Sequence, residues 1–210
     1  MEEAQASKYR GITARLTYLA VDRADLLYVS KECSRHMSRP RNKHWEALKR
    51  VGRYLLHAPR VVHMFKWQER PMYMSGYSDS DWAGCREARK STSGGCMLHG
   101  RHLIRAYSKT QSNIALSSGE AEYYAMVKAA SECMGLKAMA TDFHRDLAPW
   151  LYVDATAALG VAQRVGLGKI RHLETQSLWL QQAVRNKRVG LAKVLGTMNP
   201  ADAMTKALDS

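Results

Sequence analysis

The stretch "SSGEAEYYA", residues 117–125, begins an alanine-rich segment that predicts a long α-helix ending near residue 142. Plotted at about 100° per residue, Glu120 falls beside the polar side of this helix. Glu122 falls on the apolar stripe, with Met126, Ala129, Cys133 and Leu136. A carboxylate on a core-facing stripe is costly unless it is paired or bound to a metal. The alternative is that Glu122, like Glu120, is only a helix-start acid favoured by the helix dipole, and this pattern alone supports both explanations equally.

Three other segments place acids where a strand ends or a helix begins. "GYSDSDW" is strand-like and carries Asp79 and Asp81 on one face, and "WLYVD" is an apolar run ending at Asp154. "NPADAMTK" predicts a helix with Asn199 as N-cap and Asp202 at the third helical position. Each acid by itself has an ordinary explanation as a turn residue, an N-cap or a dipole-compensating acid. If four carboxylates meet at one sheet edge, they form an oxygen-rich site suited to Mg²⁺ or Mn²⁺.

The order of the predicted elements indicates a mixed α/β (α+β) fold. Helices are predicted over residues 12–20 and 25–37, and a third follows the break at Pro40. After residue 70 come a strand, a hairpin that pivots on Gly100, the long helix and a short strand. Helices over 155–165 and near 172–187, a strand at "VGLAKVLG" and a final helix complete the chain. We therefore expect a helical region at 1–70 and an α/β domain, a mixed sheet with helices packed on it, at 71–210.

The charge of the chain indicates a polyanionic partner. Its formal net charge is +13 and its pI is near 9.8, and nucleic acid is the commonest partner of such a protein. Residues 31–70 contain eleven Lys or Arg against three Glu. The alternative is a solvated surface without such a partner, which composition alone leaves open. No apolar run approaches membrane-spanning length, and the N-terminus lacks the apolar core of a signal peptide.

The four cysteines are scattered without C-x-x-C spacing, which indicates a reduced protein inside the cell, in the cytoplasm or the nucleus. Cys96, His99 and His102 could be read as metal ligands. However, they lie on a predicted strand, turn and strand, with no fourth ligand nearby. We therefore expect no zinc site there.

Five segments resemble the ribonuclease H domain at the end of copia-type LTR-retrotransposon Pol polyproteins, in the same order and with fitting spacing. They span about residues 76–208 and are "GYSDSDWAGCREARKSTSGG", "SKTQSNIALSSGEAEYYA", "LYVDATAAL", "IRHLETQSLWLQQAV" and "NPADAMTKAL". Any one of them is a weak signal, but the ordered set is specific. Residues 9–56 are similar to the helical region that follows the reverse transcriptase in the same polyproteins.

This resemblance implies a fold, an activity and a site. The implied fold is a ribonuclease H-like five-stranded mixed sheet flanked by helices. The implied activity is that of a metal-dependent endonuclease that hydrolyses the RNA strand of RNA–DNA hybrids with two Mg²⁺ or Mn²⁺ ions. Asp79 would bridge both ions, Glu122 and Asp154 would hold one and orient water, and Asp202 would help to hold the other.

Contacts to the hybrid are expected outside the four acids. The basic helices of residues 31–70 are candidates for phosphate contacts. Further candidates are Lys90, Ser91 and Thr92 in "RKSTSG", which follow the first strand of the domain, and Arg171 and His172 in "IRHLE". Hybrids would be chosen by minor-groove shape and by contacts to the RNA 2′-hydroxyl groups.

The resemblance also implies a reverse transcriptase to which the chain is, or once was, fused or bound. No Tyr-x-Asp-Asp polymerase motif is present, so we do not expect polymerisation by the chain itself. Its start at Met1, partway through what would be a polyprotein, suggests a fragment or a degenerate gene copy.

Two other functions fit the same residues. One is a non-catalytic nucleic-acid-binding remnant of such a polyprotein, and the other is a different nuclease of the same fold, integrase-like or junction-cleaving. The position of Glu122 on the first long helix of the domain argues against an integrase.

Overall fold

The computed structural model describes residues 1–85, 87–168, 172–173 and 175–207. It divides into two compact units, Met1–Lys66 with the C-terminal residues from Ala207, and Trp67–Lys206. We call them unit 1 and unit 2. Within the described ranges, no helix is long and apolar enough to cross a membrane. That unit 1 is a region following a polymerase stays a prediction.

Unit 1 is helical, and its helices differ in length from those predicted. The helix predicted from residue 12 begins at Glu3, and the one predicted over 25–37 is divided into a short 3-10 helix, Ala24–Leu26, and an α-helix. Its three α-helices are α1 (Glu3–Leu19), α2 (Leu27–Ser34) and α3 (Asn42–His57).

The polar side chains of Tyr9 and Arg23 hold the chain of unit 1 around its apolar core. The Tyr9 hydroxyl donates a hydrogen bond to the Cys33 carbonyl, 2.8 Å away, and so joins α1 to α2. The buried Arg23 pairs with Asp25 at 2.7 Å and also donates to the Ala58 carbonyl at 3.2 Å, which fixes the chain just after α3. The core itself consists of Tyr9, Leu16, Ala20, Leu26, Cys33, Leu48 and Val51.

Unit 2 contains one mixed five-stranded sheet, as the sequence predicted. The strand order is β3-β2-β1-β4-β5. β2 is antiparallel to both β1 and β3, whereas β4 is parallel to β1, and β5 to β4. The strands are β1 (Tyr73–Asp81), β2 (Thr92–His99), β3 (His102–Thr110), β4 (Ala148–Val153) and β5 (Gly190–Lys193). The predicted pivot of the hairpin is confirmed, since Gly100 has a φ of +62°, a conformation that glycine adopts without steric cost.

The long helix covers one face of this sheet. It is α4 (Ser118–Asp142), and the predicted start is confirmed because the Ser117 hydroxyl caps it by accepting from the Glu120 N–H at 3.2 Å. The predicted apolar stripe is also confirmed: Met126, Ala129 and Cys133 are fully buried in the core. Packing of this stripe on β1, β2 and β4 fixes where the first turns of α4 lie.

The helices after β4 are shorter than the sequence predicted. α5 is Thr156–Gln163, and the helix predicted near 172–187 consists of a 3-10 turn, Thr175–Ser177, and α6 (Trp179–Arg185). The final helix, Pro200–Met204, is a 3-10 helix rather than an α-helix. We call it the C-terminal 3-10 helix. Its N-cap is Asn199, as predicted.

A close approach at Gly94 brings the C-terminal 3-10 helix onto the sheet. A Cβ atom on Gly94 would lie 2.7 Å from the Ala201 carbonyl oxygen, closer than real Cβ contacts allow. The Asn199 side chain also donates to the Ser78 carbonyl of β1, at 2.9 Å. These two contacts place Asp202 at the same part of the sheet as Asp79 and Asp81 of β1.

We expect Gly94→Ala to destabilise unit 2 by about 1–3 kcal/mol, because the added methyl group displaces the C-terminal 3-10 helix. Urea unfolding of the purified chain measures the change. The matched control is Gly135→Ala, at an open position inside α4, where loss of glycine flexibility should stabilise the helix by about 0.5–1 kcal/mol. Equal stabilities of wild type and Gly94→Ala would contradict the proposed close packing.

Candidate metal centre

Three carboxylates of unit 2 meet at one edge of the sheet. Asp79 lies near the end of β1, Asp154 directly follows β4, and Glu122 lies in the first turns of α4. One oxygen from each lies within 4.8 Å of the others. β1 and β4 are adjacent and parallel, so their carboxyl ends share an edge, and α4 begins beside that edge. The parallel pairing of β1 with β4, and the start of α4 beside these strands, therefore bring the three acids together.

Glu122 is the most constrained acid of the three. Its side chain is buried, and its Oε1 accepts a hydrogen bond from the Ser80 N–H at 3.2 Å. Among the described residues its Oε2 has no hydrogen-bond partner. Burial, followed by the nearby Asp79 and Asp154, raises the pKa of Glu122 from 4.5 to about 8. A divalent cation would satisfy the unpartnered oxygen and offset the repulsion between the carboxylates, so this donor set fits a metal ion.

Asp79 is oriented by a residue that the sequence did not single out. The Thr205 hydroxyl donates a hydrogen bond to its Oδ2. Burial raises the pKa of Asp79, Asp154 and Asp202 raise it further, and the Thr205 hydrogen bond opposes them. Thr205 follows Asp202 by three residues, and in a 3-10 helix side chains at that spacing lie above one another. The spacing of three residues therefore indicates Thr205 only when the last helix is known to be a 3-10 helix.

Asp202 lies near this group but outside it. It is partly exposed on the C-terminal 3-10 helix and forms an ion pair with Lys206 at 2.7 Å. Its charge contributes to the raised pKa of Asp79. Among the described residues, the group of carboxylates close enough to share one ion comprises Asp79, Glu122 and Asp154. The role of Asp202 as a fourth ligand stays a prediction.

The prediction that Glu120 faces the solvent side is wrong. Glu120 is only 1% exposed. Its Oε2 accepts from the Leu116 N–H at 3.0 Å and lies 2.8 Å from the His172 Nε2. Glu120 is a helix-start residue, as predicted, but it is buried and contacts His172. The helical projection could not show this, because it places a residue on a helix without showing what packs against it.

Residues at the end of β1 and just before β2 lie beside the clustered acids, and their hydrogen bonds mainly hold the backbone in place. The carboxylate of Asp81 accepts from the Thr92 N–H, and Asp81 is not one of the three clustered acids. Ser91 is buried, and its hydroxyl accepts from the Ala83 N–H at 3.0 Å. Thr92 is buried as well, whereas Lys90 is partly exposed.

Of the two candidate contacts in "IRHLE", Arg171 lies outside the described residues. The His172 ring is about half exposed while it contacts Glu120. A role in nucleic-acid binding stays a prediction for all five of the candidate residues, Lys90, Ser91, Thr92, Arg171 and His172.

The cysteines form no metal site with the histidines in the part of the chain that the structure describes. All four cysteines are buried and none is in a disulfide. The Cys96 thiol contacts the Pro200 carbonyl at 3.7 Å, beneath the C-terminal 3-10 helix. The triad of Asp79, Glu122 and Asp154 is the group of potential metal ligands found in the described ranges.

Comparison with known proteins finds retrotransposon relatives. The chain is 33% identical over 205 residues to the retrovirus-related Pol polyprotein from transposon RE2 of Arabidopsis thaliana. This match covers 96% of the chain but only 14% of the polyprotein. A secreted RxLR effector protein of Plasmopara viticola is 37% identical over 129 residues, which are 61% of this chain and 90% of that protein. No family model matches the chain.

Among solved structures, the chain is similar to LC11-RNase H1 in a crystal structure with an RNA/DNA hybrid. The TM-score is 0.42 and the sequence identity 16%, over 63% of this chain and 93% of that one.

We expect Glu122→Gln to stabilise the metal-free chain at pH 8 by roughly 1–3 kcal/mol and to have little effect at pH 5. The folded state of the wild type keeps the Glu122 proton up to a pKa of about 8, whereas the unfolded chain loses it near 4.5. The wild type therefore loses stability as the pH rises through this window, and a glutamine, which stays neutral, does not.

Urea unfolding in EDTA at both pH values measures this difference. The control is Glu87→Gln at an exposed position, which should show no such pH dependence. If the stability advantage of Glu122→Gln is the same at pH 5 and pH 8, Glu122 is not a buried carboxyl with a raised pKa.

Proposed function

Since the chain belongs to the retrovirus-related Pol polyproteins of copia-type transposons, we propose that unit 2 is a metal-dependent endonuclease that hydrolyses the RNA strand of RNA–DNA hybrids. The observation that supports this most is the meeting of Asp79, Glu122 and Asp154 within 4.8 Å, with one buried oxygen of Glu122 that has no hydrogen-bond partner among the described residues. The sequence motifs that resemble the ribonuclease H domain of these polyproteins contain the same three acids.

The metal would be Mg²⁺ or Mn²⁺, because the donors are carboxylate oxygens. Two ions are proposed, as the resemblance to the ribonuclease H domain implies. Asp79, Glu122 and Asp154 would hold them, with Asp202 as the fourth acid. Bound there, the ions would supply the positive charge that activates a water molecule and stabilises the leaving oxygen of a phosphodiester.

The protein itself holds the acids in place before any ion binds. The Thr205 hydroxyl fixes one oxygen of Asp79, and the Ser80 N–H fixes one oxygen of Glu122. Both partners are in turn fixed by the close packing of the C-terminal 3-10 helix on β2 and by the strand β1. Such preorganisation lowers the cost of assembling the reacting groups.

Substrate binding would depend on the positive charge of the chain. A net charge of +13 favours a polyanion, and contacts to phosphates make such binding sensitive to salt. Lys90, Ser91, Thr92, Arg171 and His172 are proposed to contribute, although the buried Ser91 and Thr92 can do so only by shaping the chain that carries Lys90. We further propose that the chain works together with a reverse transcriptase, inside the cell.

The alternative is a nucleic-acid-binding remnant without activity. A remnant has no need to keep the buried, mutually repelling acids, and their retention in an intact geometry favours the enzyme.

We expect the purified chain to cleave the RNA strand of a labelled RNA–DNA hybrid in Mg²⁺. Asp79→Asn should lower the rate at least about 100-fold, because removal of one such electrostatic group has effects of this size. Gel electrophoresis of the products measures the rate. The control is Asp142→Asn, at the exposed end of α4, which should cleave like the wild type. No cleavage by the wild type would support the remnant, and cleavage by Asp79→Asn would exclude this site.

We expect Lys90→Ala to weaken hybrid binding in EDTA and to lower the slope of log K against log salt by about 1, the value for one lost phosphate contact. Fluorescence anisotropy at several salt concentrations measures both quantities. Lys187→Ala serves as the control, since Lys187 is also exposed and is not a proposed contact. An unchanged slope for Lys90→Ala would show that Lys90 does not touch the hybrid.

A further inference from the structure

A second concave site lies in unit 2, on the face of the sheet that α4 does not cover. Gly76 of β1 faces α4, since a Cβ atom there would lie 2.5 Å from the Cys133 sulfur. Its neighbours along the strand therefore point to the opposite face. There Tyr73 and Tyr77 of β1, with Tyr152 of β4, line a cavity of about 750 Å³.

The wall of this cavity is held in place by Gln68. Its side-chain amide donates to the His99 carbonyl at 2.9 Å and accepts from the Arg101 N–H at 2.9 Å. The Pro71 carbonyl also contacts the His99 ring, at 3.2 Å. Residues 67–71 are thereby fastened to the turn between β2 and β3. The cavity is formed by fixed backbone on one side and by the sheet on the other.

The cavity is rich in accessible aromatic surface. Trp67 is 88% exposed and Tyr73 is 47% exposed. The rings of Tyr77 and Tyr152 stack with their centroids 4.9 Å apart and 18° between their planes, and both are partly exposed. Clustered exposed aromatic side chains commonly mark a binding site rather than a solvated surface.

The charges beside these rings favour a polyanion. Arg70 and Arg101 both line the cavity and are exposed, and Glu69 is the acid among its described lining residues. A second copy of this chain, at +13, would be repelled. Aromatic platforms flanked by arginines are the composition with which proteins bind single-stranded nucleic acid, whose bases are free to stack. The bases of a duplex are already stacked and cannot do so.

We propose that this cavity binds single-stranded nucleic acid, with a base extending the Tyr77–Tyr152 stack and the arginines contacting phosphates. Tyr77 precedes Asp79 by two residues on β1, and Tyr152 of β4 precedes Asp154 by two residues. Two residues along a strand span about 7 Å. A single strand held here would therefore lie beside the three acids. Binding does not require cleavage, so the site is separate from the proposed activity.

The test is binding of a fluorescein-labelled oligouridylate of about 12 nucleotides to the full chain in EDTA, measured by fluorescence anisotropy. Tyr152→Leu keeps an apolar side chain but removes the ring, and affinity should fall about tenfold. Arg101→Glu should lower it about fivefold, because it reverses a charge at the phosphate contact. The charge-matched control is Arg145→Glu, at an exposed position that does not line the cavity, which should have a smaller effect.

A loss of affinity in Arg101→Glu does not come from misfolding, because the side chain of residue 101 is exposed and its backbone N–H still donates a hydrogen bond to the Gln68 side chain. A 2-aminopurine base in the same oligonucleotide should lose fluorescence on binding to the wild type, as stacked bases do. Equal losses of affinity for Arg101→Glu and Arg145→Glu would overturn the proposal. So would unchanged affinity of Tyr152→Leu, or a dimer in sedimentation that Tyr152→Leu dissociates, which would make a second copy the occupant.

Discussion

The constraint on which the rest of unit 2 depends is the buried carboxylate of Glu122, which is grouped with Asp79 and Asp154 and has one oxygen without a hydrogen-bond partner in the part of the chain that the structure describes. An uncompensated carboxylate at such a place lowers the stability of the metal-free fold, and the pKa of Glu122 is raised for the same reason, its burial beside Asp79 and Asp154. The surrounding packing has to tolerate this cost. It does so through the fully buried apolar stripe of α4, which anchors the helix carrying Glu122 to the sheet.

The acids come together because of topology rather than local sequence. Parallel pairing of β1 with β4 brings Asp79 and Asp154 to one edge, and antiparallel pairing of β1 with β2 provides the surface for the C-terminal 3-10 helix. Gly94 permits that helix to approach closely enough for Thr205 to reach Asp79. A glycine on one strand therefore determines how a carboxylate on the next strand is oriented.

The two faces of the same strand pair have different roles. Towards α4, β1 and β4 contribute buried residues such as Gly76 and Leu151 to the core. On the other face, the stacked Tyr77 and Tyr152 line an open cavity two residues before the acids. This is possible because successive side chains of a strand point to opposite faces of the sheet, so every second residue lies outside the core. The proposed single strand would lie on this face, next to the edge of the sheet that carries the three acids.

The sequence by itself determined the mixed sheet, the hairpin at Gly100, the start of α4 and the position of Glu122 on the apolar side of α4. Each of these depends on local periodicity, a turn residue or a cap. The ordered motifs also identified the family. Only the tertiary structure decided that Glu120 is buried and contacts His172, that the last helix is a 3-10 helix and that Thr205 orients Asp79. The contact of Glu120 with His172 joins residues 52 positions apart, and that of Thr205 with Asp79 joins residues 126 positions apart, and no local pattern encodes such contacts.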